Sequence, residues 1–340
     1  MGINFYLELL TYNLWIYFIL LDFFTNDSII FGCKNVYINF IPTNLPRKHS
    51  LRLDDNQDKR QYNPLFCSYL TGLIEGDGTI IVPKVARSPK GKLYYPSIQI
   101  VFDERDLGLA VILQKELGFG SISKTKGVNA YRYTINNFDG LITMVKLLNG
   151  YFRTPKIVMF HRLIDFLNQK YPNLLLSKKE VDNSKLDSNA WLSGFIDADG
   201  YFAVIMPSKG FSNCRFEVVQ SSVNHLNLSK KDLLVSLSEF LEVKILESTR
   251  VKYPGYMEYI VRTSKLKSNE ILISYLEQYS LFSSKYLNYW DFKKVCEMIM
   301  KQEHKTIEGI NAIRLIKDGM NSKRTEFNWD HLLKFYKLYE

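Results

Sequence analysis

The sequence predicts an α+β fold of two pseudo-symmetric halves, each an αββαββα unit with one antiparallel, saddle-shaped sheet. Two observations predict it. A ten-residue block occurs twice in the chain, and each copy is followed by the same order of strand-like and helix-like segments. Because the blocks are apolar along one helical face, we expect the halves to pack against each other through the two helices that they form.

The repeated block lies at positions 69–78 and 191–200, and its two copies align without gaps, with residue class kept at each position. In each copy, apolar residues recur at the spacing of one helical face. Asn63 followed by Pro64 is typical of a helix start, because asparagine caps free N–H groups and proline suits the first turn. Each block therefore predicts a helix.

Small residues recur four positions apart in both blocks, as Gly72 and Gly76 in the first copy and Gly194 and Ala198 in the second. Residues at this spacing share one helical face, where missing side chains permit close approach of another helix. Glycine costs about 1 kcal/mol in a helix interior, so its repetition indicates a packing requirement. We expect the two helices to pack directly on each other.

The same succession of elements follows each block: two strands, a helix, a hairpin with turn residues at 126–127 or 254–255, and closing helices. In the first half the predicted strands cover residues 79–82, 94–102, 121–124 and 131–135, and the predicted helices cover 107–117, 141–148 and 156–168. In the second half the strands cover 201–205, 215–220, 244–250 and 259–263, and the helices cover 231–241, 269–279 and 285–300.

Polar segments divide the chain into an N-terminal extension at 1–62, a first half at 63–171, a linker at 172–188, a second half at 189–300 and a basic C-terminal extension at 301–340. The apolar stretch at 9–24 is shorter than the roughly 20 residues of a membrane helix. It has no features of a secretory signal or of an imported transit peptide. Two interpretations of the C-terminal extension stay open: contact with flanking nucleic acid, or a solvated tail.

The composition is that of a soluble globular protein with a polyanionic partner. Hydrophobic residues make up 46% and charged residues 23% of the chain, and the formal net charge is +9. This charge favours nucleic acid ahead of an anionic membrane. The four cysteines are far apart, so the sequence suggests neither a closely spaced zinc pattern nor a disulfide framework.

Both blocks end in acidic residues, and their last acids are Asp77 and Asp199. Carboxylates at a helix C-terminus are locally unfavourable, since the helix dipole is already negative there. A divalent cation reverses this, because carboxylate and free carbonyl oxygens are the ligands that magnesium accepts. A single Asp-Gly pair is also an ordinary helix-ending turn, but two copies with the whole preceding block favour a shared metal site.

The segments LTGLIEGDG at 70–78 and LSGFIDADG at 192–200 resemble the consensus that names the LAGLIDADG homing endonucleases. The resemblance covers about residues 63–300. It implies a double-motif, monomeric enzyme that hydrolyses phosphodiester bonds in both strands of a long DNA site, leaves 3′ overhangs and promotes intron mobility. No small-molecule cofactor is implied.

In that family the last acid of each motif binds the catalytic metal ions, which here implies that Asp77 and Asp199 hold Mg²⁺ or Mn²⁺. The carbonyls of Gly76 and Ala198 are lesser ligands by the same resemblance. The other acidic residue of each block is a weaker candidate.

The family also places a lysine near each active site after the last loop of each half, which here implies Lys156 and Lys285. A solvated lysine at a helix start is the simpler alternative for each. Gln220 resembles a polar residue that holds solvent near the metals. Phe102 occupies the matching place in the first half, so the two active sites are expected to be unequal.

DNA recognition is expected to use the strands, because a β-ribbon fits the major groove. An ordinary exposed polar residue without a role in DNA binding is the alternative interpretation of each candidate. The candidates are Lys84, Arg87, Lys92, Gln99, Lys124, Lys126, Arg132, Lys209, Arg215, Arg250, Lys252 and Arg262.

Two other functions stay open. Some proteins with this fold are maturases that bind their own intron RNA and assist its splicing, and basic strands suit RNA as well as DNA. Intact acids in both blocks favour cutting, without excluding a protein that does both. A membrane-associated binding protein anchored by residues 9–24 leaves the paired blocks unexplained.

The resemblance, with many Asn, Lys, Tyr, Phe and Ile residues typical of A·T-rich coding, implies an intron-encoded protein made in a mitochondrion. A chloroplast is the less favoured alternative.

Overall fold

The computed structural model describes residues 61–85, 87–207, 212–249 and 255–340. Within them lie nine α-helices and eight strands, and eight of the helices with all eight strands form two units of the same design. The apolar stretch at 9–24 and the candidate DNA contacts Lys209, Arg250 and Lys252 lie outside the described residues. None of the described helices combines the length and hydropathy of a membrane span.

Each half contains one four-stranded antiparallel sheet, with strand orders β1-β2-β4-β3 and β5-β6-β8-β7. The first half consists of α1 (Pro64–Asp77), β1 (Gly78–Ile81), β2 (Ser97–Asp103), α2 (Leu107–Leu117), β3 (Ser121–Lys124), β4 (Ala130–Ile135), α3 (Phe138–Leu148) and α4 (Ile157–Lys170). The second consists of α5 (Trp191–Asp199), β5 (Gly200–Ile205), β6 (Asn213–Ser221), α6 (Lys231–Phe240), β7 (Ile245–Thr249), β8 (Met257–Arg262), α7 (Leu266–Gln278) and α8 (Lys285–Met300). The predicted α+β class with two pseudo-symmetric halves is confirmed, but two helices close each half, so the order is αββαββαα.

One boundary error lies before β2, where the strand was predicted from residue 94. Tyr94 and Tyr95 are 46% and 55% exposed, and the strand begins at Ser97. Pro96 lies between Tyr95 and Ser97, and because proline has no N–H it cannot donate to the hydrogen-bond ladder of the sheet. The tyrosines were attributed to the strand because aromatic residues favour strands.

Helices α1 and α5 pack with their backbones in contact, as the small residues predicted. A Cβ built on Gly72 would overlap the carbonyl oxygen of Trp191, and one built on Gly194 would overlap that of Tyr69. Glycine is therefore required at both positions, since any side chain would separate the helices. The contact joins the cores of the two halves into one apolar cluster.

The segment after α8 returns to the first half. It forms α9 (Ile307–Asp318) and continues to a stretch in which the backbone N–H of Asn63 donates to the carbonyl of Leu338 at 3.0 Å. The ring of Phe335 lies edge-on to those of Tyr69, at 5.7 Å, and Phe282, at 4.8 Å. Phe335 and Leu338 are each only 6% exposed. The interpretation of residues 301–340 as a solvated tail is therefore wrong.

Candidate active site

The two motif helices α1 and α5 end side by side, at Asp77 and Asp199. A side chain built at Gly76 would lie 3.0 Å from Oδ2 of Asp199, which shows how closely the two ends approach. Burial, and then the charge of Asp199, raise the pKa of Asp77 to about 7. Burial also raises the pKa of Asp199. The fold thus holds two carboxylates together where ionising both is costly.

Lys156 lies at the end of helix α1, where its ammonium group binds free carbonyl oxygens. Its Nζ donates to the carbonyls of Ile74 at 2.8 Å and Gly78 at 2.6 Å, with that of Gly76 at 3.4 Å. Burial lowers the pKa of Lys156 to about 8, against the pull of Glu75 and Asp199. The alternative of a solvated helix-start lysine does not describe it.

Lys285 occupies the equivalent place at the end of α5. Its Nζ donates to the carbonyl of Ala198 at 2.5 Å, with that of Ile196 at 3.4 Å. Burial lowers the pKa of Lys285, and Asp77 opposes this more strongly than Asp199 does. The pKa of Lys156 is instead affected more strongly by Asp199 than by Asp77. Each lysine therefore caps the helix of its own half, and the aspartate of the other half affects its pKa more than that of its own half does, although Lys285 affects the pKa of Asp199 more than Lys156 does.

Glu75 points away from this pair and holds the loop before Lys156. Its carboxylate accepts from the backbone N–H of Arg153 at 2.8 Å, from Trp191 Nε1 at 2.7 Å, and from the N–H and Oγ1 of Thr154 at 2.7 and 2.5 Å. These four protein donors satisfy both oxygens. Glu75, the weaker metal candidate of the first block, is a positioning residue.

Asp197 holds the loop before Lys285 in the second half, as Glu75 holds the loop before Lys156. It accepts from the hydroxyl of Tyr69 at 2.7 Å, from the backbone N–H of Phe282 at 2.7 Å, and from the N–H and Oγ1 of Ser283 at 3.1 and 2.5 Å. Both buried acids therefore fasten a lysine-bearing loop, and each takes one bond from an aromatic residue of the opposite motif helix. The second weaker metal candidate is excluded for the same reason as the first.

Gln220 lies beside Asp199, as expected from the resemblance. Its amide opposes the rise in the pKa of that carboxylate and accepts from Lys230 Nζ at 2.9 Å. Phe102, at the matching place, is 4% exposed and lines a cavity with Asp77, Asp106 and Lys285. The sites therefore differ at this position.

Asp106 and Lys230 were missed by the sequence analysis. Asp106 immediately precedes α2 and Lys230 immediately precedes α6, so they hold equivalent positions in the repeat. Asp106 accepts from the backbone N–H of Ser284 at 2.6 Å, next to Lys285. A comparison of the two halves at helix starts, as well as at the motif, would have found them.

Two groups of side chains result, each drawn from both halves of the chain. We call the group of Asp77, Phe102, Asp106 and Lys285 the Asp77 half-site. We call the group of Asp199, Gln220, Lys230 and Lys156 the Asp199 half-site.

Comparison with known proteins agrees with this geometry. The family model described as "LAGLIDADG endonuclease" matches the chain twice, at residues 70–182 and 192–296. The chain belongs to the LAGLIDADG endonuclease family. Each match contains one motif helix, its sheet and the loop that carries one of the two lysines.

Among curated relatives, the intron-encoded DNA endonuclease aI3 of Saccharomyces cerevisiae is 33% identical over 301 residues, which cover 79% of this chain and 72% of the relative. The uncharacterized cox1 intron-2 protein of Schizosaccharomyces pombe is 28% identical over 255 residues, covering 73% of this chain and 71% of the relative. The intron-encoded RNA maturase bI4 of S. cerevisiae is 32% identical over 139 residues, covering 41% of this chain and 19% of the relative.

Solved structures share the LAGLIDADG fold. The I-SmaMI homing endonuclease bound to cleaved DNA superposes with a TM-score of 0.60 at 22% identity, over 78% of this chain and 99% of that one. I-GzeII in complex with its DNA target gives a TM-score of 0.59 at 21% identity, over 78% of this chain and all of that one.

The candidate DNA contacts of this LAGLIDADG protein separate by position. On the strands, buried residues such as Ile98 and Ile100 alternate with residues on the opposite, open face of the sheet. Lys124 lies on the helix-covered face of its sheet, at the edge, and pairs with Glu104 at 2.9 Å. Gln99, Arg132, Arg215 and Arg262 lie on the open faces, and Lys84, Arg87, Lys92 and Lys126 are exposed in loops.

The ends of the LAGLIDADG helices fit a divalent cation by their chemistry. The described residues contain no group of three or more His, Cys, Asp or Glu that could hold a metal. Magnesium, however, uses one or two carboxylates and completes its shell with water and substrate phosphates. Asp77 and Asp199 match that donor set, and a cation between them would offset the repulsion that raises the pKa of Asp77. The carbonyls of Gly76 and Ala198 face the lysines.

Proposed function

We propose that this protein is a site-specific homing endonuclease that uses a divalent cation, Mg²⁺ or Mn²⁺, to hydrolyse both strands of a double-stranded DNA target and so promotes the mobility of its intron. The observation that carries the proposal is the convergence of Asp77 and Asp199 at the ends of two packed helices, each with a buried lysine beside it.

In the proposed mechanism, Asp77 and Asp199 hold the cation, which when bound supplies Lewis acidity at a phosphoryl oxygen and lowers the pKa of water. Lys156 and Lys285 are held at the helix ends, where their charges stabilise the negative charge that develops on the scissile phosphate. Gln220 orients the carboxylate of Asp199. The chemistry requires no serine or cysteine nucleophile.

Recognition is proposed to use the open faces of the two sheets, which carry Gln99, Arg132, Arg215 and Arg262. Arginine and glutamine match guanine and adenine edges in the major groove. Arg262 forms an ion pair with Glu217 across two strands, which fixes the direction of its guanidinium group. Since the two faces differ in sequence, we propose a monomer and a faintly palindromic site.

We also propose that the protein acts in a mitochondrion, where its intron lies. Support comes from relatives named as intron-encoded proteins of fungi, including a cox1 intron product.

The test is an incubation of purified protein and Mg²⁺ with the intronless DNA of the host gene, with the cuts mapped on both strands. We expect site-specific, Mg²⁺-dependent cutting by the wild type and by the control Asp187→Asn, which changes an exposed acid of the linker. Asp77→Asn combined with Asp199→Asn is expected to abolish it while the protein stays folded. Absence of cutting by the folded wild type contradicts the proposal.

A maturase role is the second candidate, favoured by the similarity to the RNA maturase bI4 of S. cerevisiae over 139 residues. Its test is splicing of the host intron transcript with wild-type protein and with the double aspartate variant. Splicing assistance that survives loss of both aspartates would establish a maturase whose activity is separate from cutting.

A further inference from the structure

The two half-sites carry opposite charges at one equivalent position of the repeat. Asp106 precedes α2 and Lys230 precedes α6, each where the strand pair passes into the next helix. Asp106 lines a cavity with Ser283, Ser284 and Lys285, and Lys230 lines another with Thr154 and Pro155, just before Lys156. Each residue therefore faces the lysine-bearing loop of the opposite half.

Lys230 points into the Asp199 half-site. It is half-buried, and its Nζ donates to the Gln220 amide oxygen at 2.9 Å, which is the only side-chain hydrogen bond of Lys230 within the described part of the chain. Since that partner is neutral, no described residue in hydrogen-bond contact cancels the charge of Lys230. Its field reaches both Asp199 and Lys156, because it opposes the rise in the pKa of Asp199 and helps to lower that of Lys156.

The Asp77 half-site has the opposite balance of positive and negative side chains. Asp106 takes the place of Lys230, and the apolar ring of Phe102 takes the place of the Gln220 amide. The Asp77 half-site therefore contains two carboxylates and one lysine, whereas the Asp199 half-site contains one carboxylate and two lysines. A cation held by Asp77 and Asp199 would be shared by the two half-sites and would leave this difference in place.

We propose that Lys230 is a further catalytic residue, which contacts the scissile phosphate in the Asp199 half-site, and that this half-site consequently cuts its strand before the Asp77 half-site cuts the other. The inference rests on the proposed endonuclease function. In each half-site a water oxygen bonds to phosphorus and the bond from phosphorus to O3′ breaks. The water releases one proton to solvent, and O3′ takes up one.

The order of cutting follows from where charge develops in this step. Negative charge builds on the phosphoryl oxygens and on O3′, and a fixed cation in a partly dehydrated cleft stabilises it more than a solvated one would. A carboxylate at the same place acts in the opposite direction. Losing one such electrostatic donor typically slows a reaction by about 10²–10³-fold, and we expect roughly 10–100-fold here because Lys156 remains.

The experiment follows both strands of an end-labelled target in a single-turnover time course with Mg²⁺. The wild type is expected to accumulate a product nicked in one strand. Lys230→Gln is expected to slow that strand roughly 10–100-fold and to leave the other strand within about twofold. Lys156→Met should slow the same strand as Lys230→Gln, and Lys285→Met the other.

Two further variants complete the test, one as a control and one at the opposite charge. Lys231→Gln changes the neighbouring exposed lysine, which pairs with Glu247 at 3.4 Å, and should leave both strand rates unchanged. Asp106→Asn keeps an acceptor for the N–H of Ser284 and removes the charge, so it should speed the slower strand several-fold.

A second readout does not depend on cutting. Target affinity measured in EDTA across a range of salt concentrations should show a salt dependence smaller by about one phosphate contact in Lys230→Gln. Equal slowing of both strands by Lys230→Gln, or no slowing, overturns the inference while leaving an active endonuclease. No cutting by any variant or by the wild type instead contradicts the proposed function.

Discussion

The buried carboxylate of Glu75 offers a sharp test of how the fold positions Lys156. Its two oxygens accept four hydrogen bonds, from the backbone N–H groups of Arg153 and Thr154, from the Thr154 hydroxyl and from Trp191 Nε1. Glu75→Gln keeps the size of the side chain but replaces one oxygen with an NH₂ group. Only the Thr154 hydroxyl can turn to accept from that group, so at least one N–H faces another donor.

The expected cost can be worked from these contacts. A hydrogen bond to a charged group contributes about 1.5–3 kcal/mol, and an unsatisfied buried donor costs about 1–3 kcal/mol more. Burial raises the pKa of Glu75 to about 7, so the charged form on which this cost depends is present above that pH. In unfolding measured at about pH 8, we therefore expect Glu75→Gln to lower the free energy of unfolding by about 3–5 kcal/mol. For a chain of this size, that corresponds to a fall in Tm of roughly 6–15 °C.

Circular dichroism during thermal and denaturant unfolding measures this loss. Glu270→Gln, which changes an exposed glutamate of α7, is the matched control and should leave stability within about 0.5 kcal/mol. In the strand-resolved cutting assay, Glu75→Gln should also slow the strand that depends on Lys156. A Glu75→Gln protein as stable as the wild type would refute the idea that this carboxylate fastens the loop.

Two further predictions concern the interface of the halves and the C-terminal segment. Gly72→Ala places a methyl group against the carbonyl of Trp191 and should destabilise the protein by at least about 2–3 kcal/mol in urea unfolding. Gly319→Ala should be nearly neutral, because the added Cβ would meet its nearest neighbour, the carbonyl oxygen of Ile316, at an ordinary contact distance of 3.6 Å. Burial lowers the pKa of His331, so the unfolded chain binds the proton more readily. The stability that neutral His331 contributes should be complete above about pH 6.5. As the pH falls below that value, this contribution should decrease by at most about 1.4 kcal/mol per pH unit. Unfolding measured at several pH values should show that His331→Gln lacks this decrease.

Local chemistry explains why much of the fold could be predicted. Helix α1 begins where Asn63 and Pro64 indicate, because the asparagine side chain accepts from the N–H of Leu65 at 2.9 Å. The helices at 107–117 and 285–300 have the predicted bounds, since their apolar spacing is a property of a short segment. The packing of α1 on α5 was also predictable, because glycine is unfavourable inside a helix and its repetition at helical spacing therefore indicates close packing.

The amino-acid sequence by itself therefore determined the repeat, the α+β class, the pairing of the motif helices and the acids that end them. Only the tertiary structure decided that Lys285 lines a cavity with Asp77 of the opposite half and that Glu75 is a positioning residue. The same structure places Asp106 and Lys230 each beside the lysine-bearing loop of the opposite half. It also decided that the C-terminal segment packs against the start of α1. The physical reason is that these features depend on contacts between residues tens to hundreds of positions apart, whereas periodicity and capping signals act within a few residues.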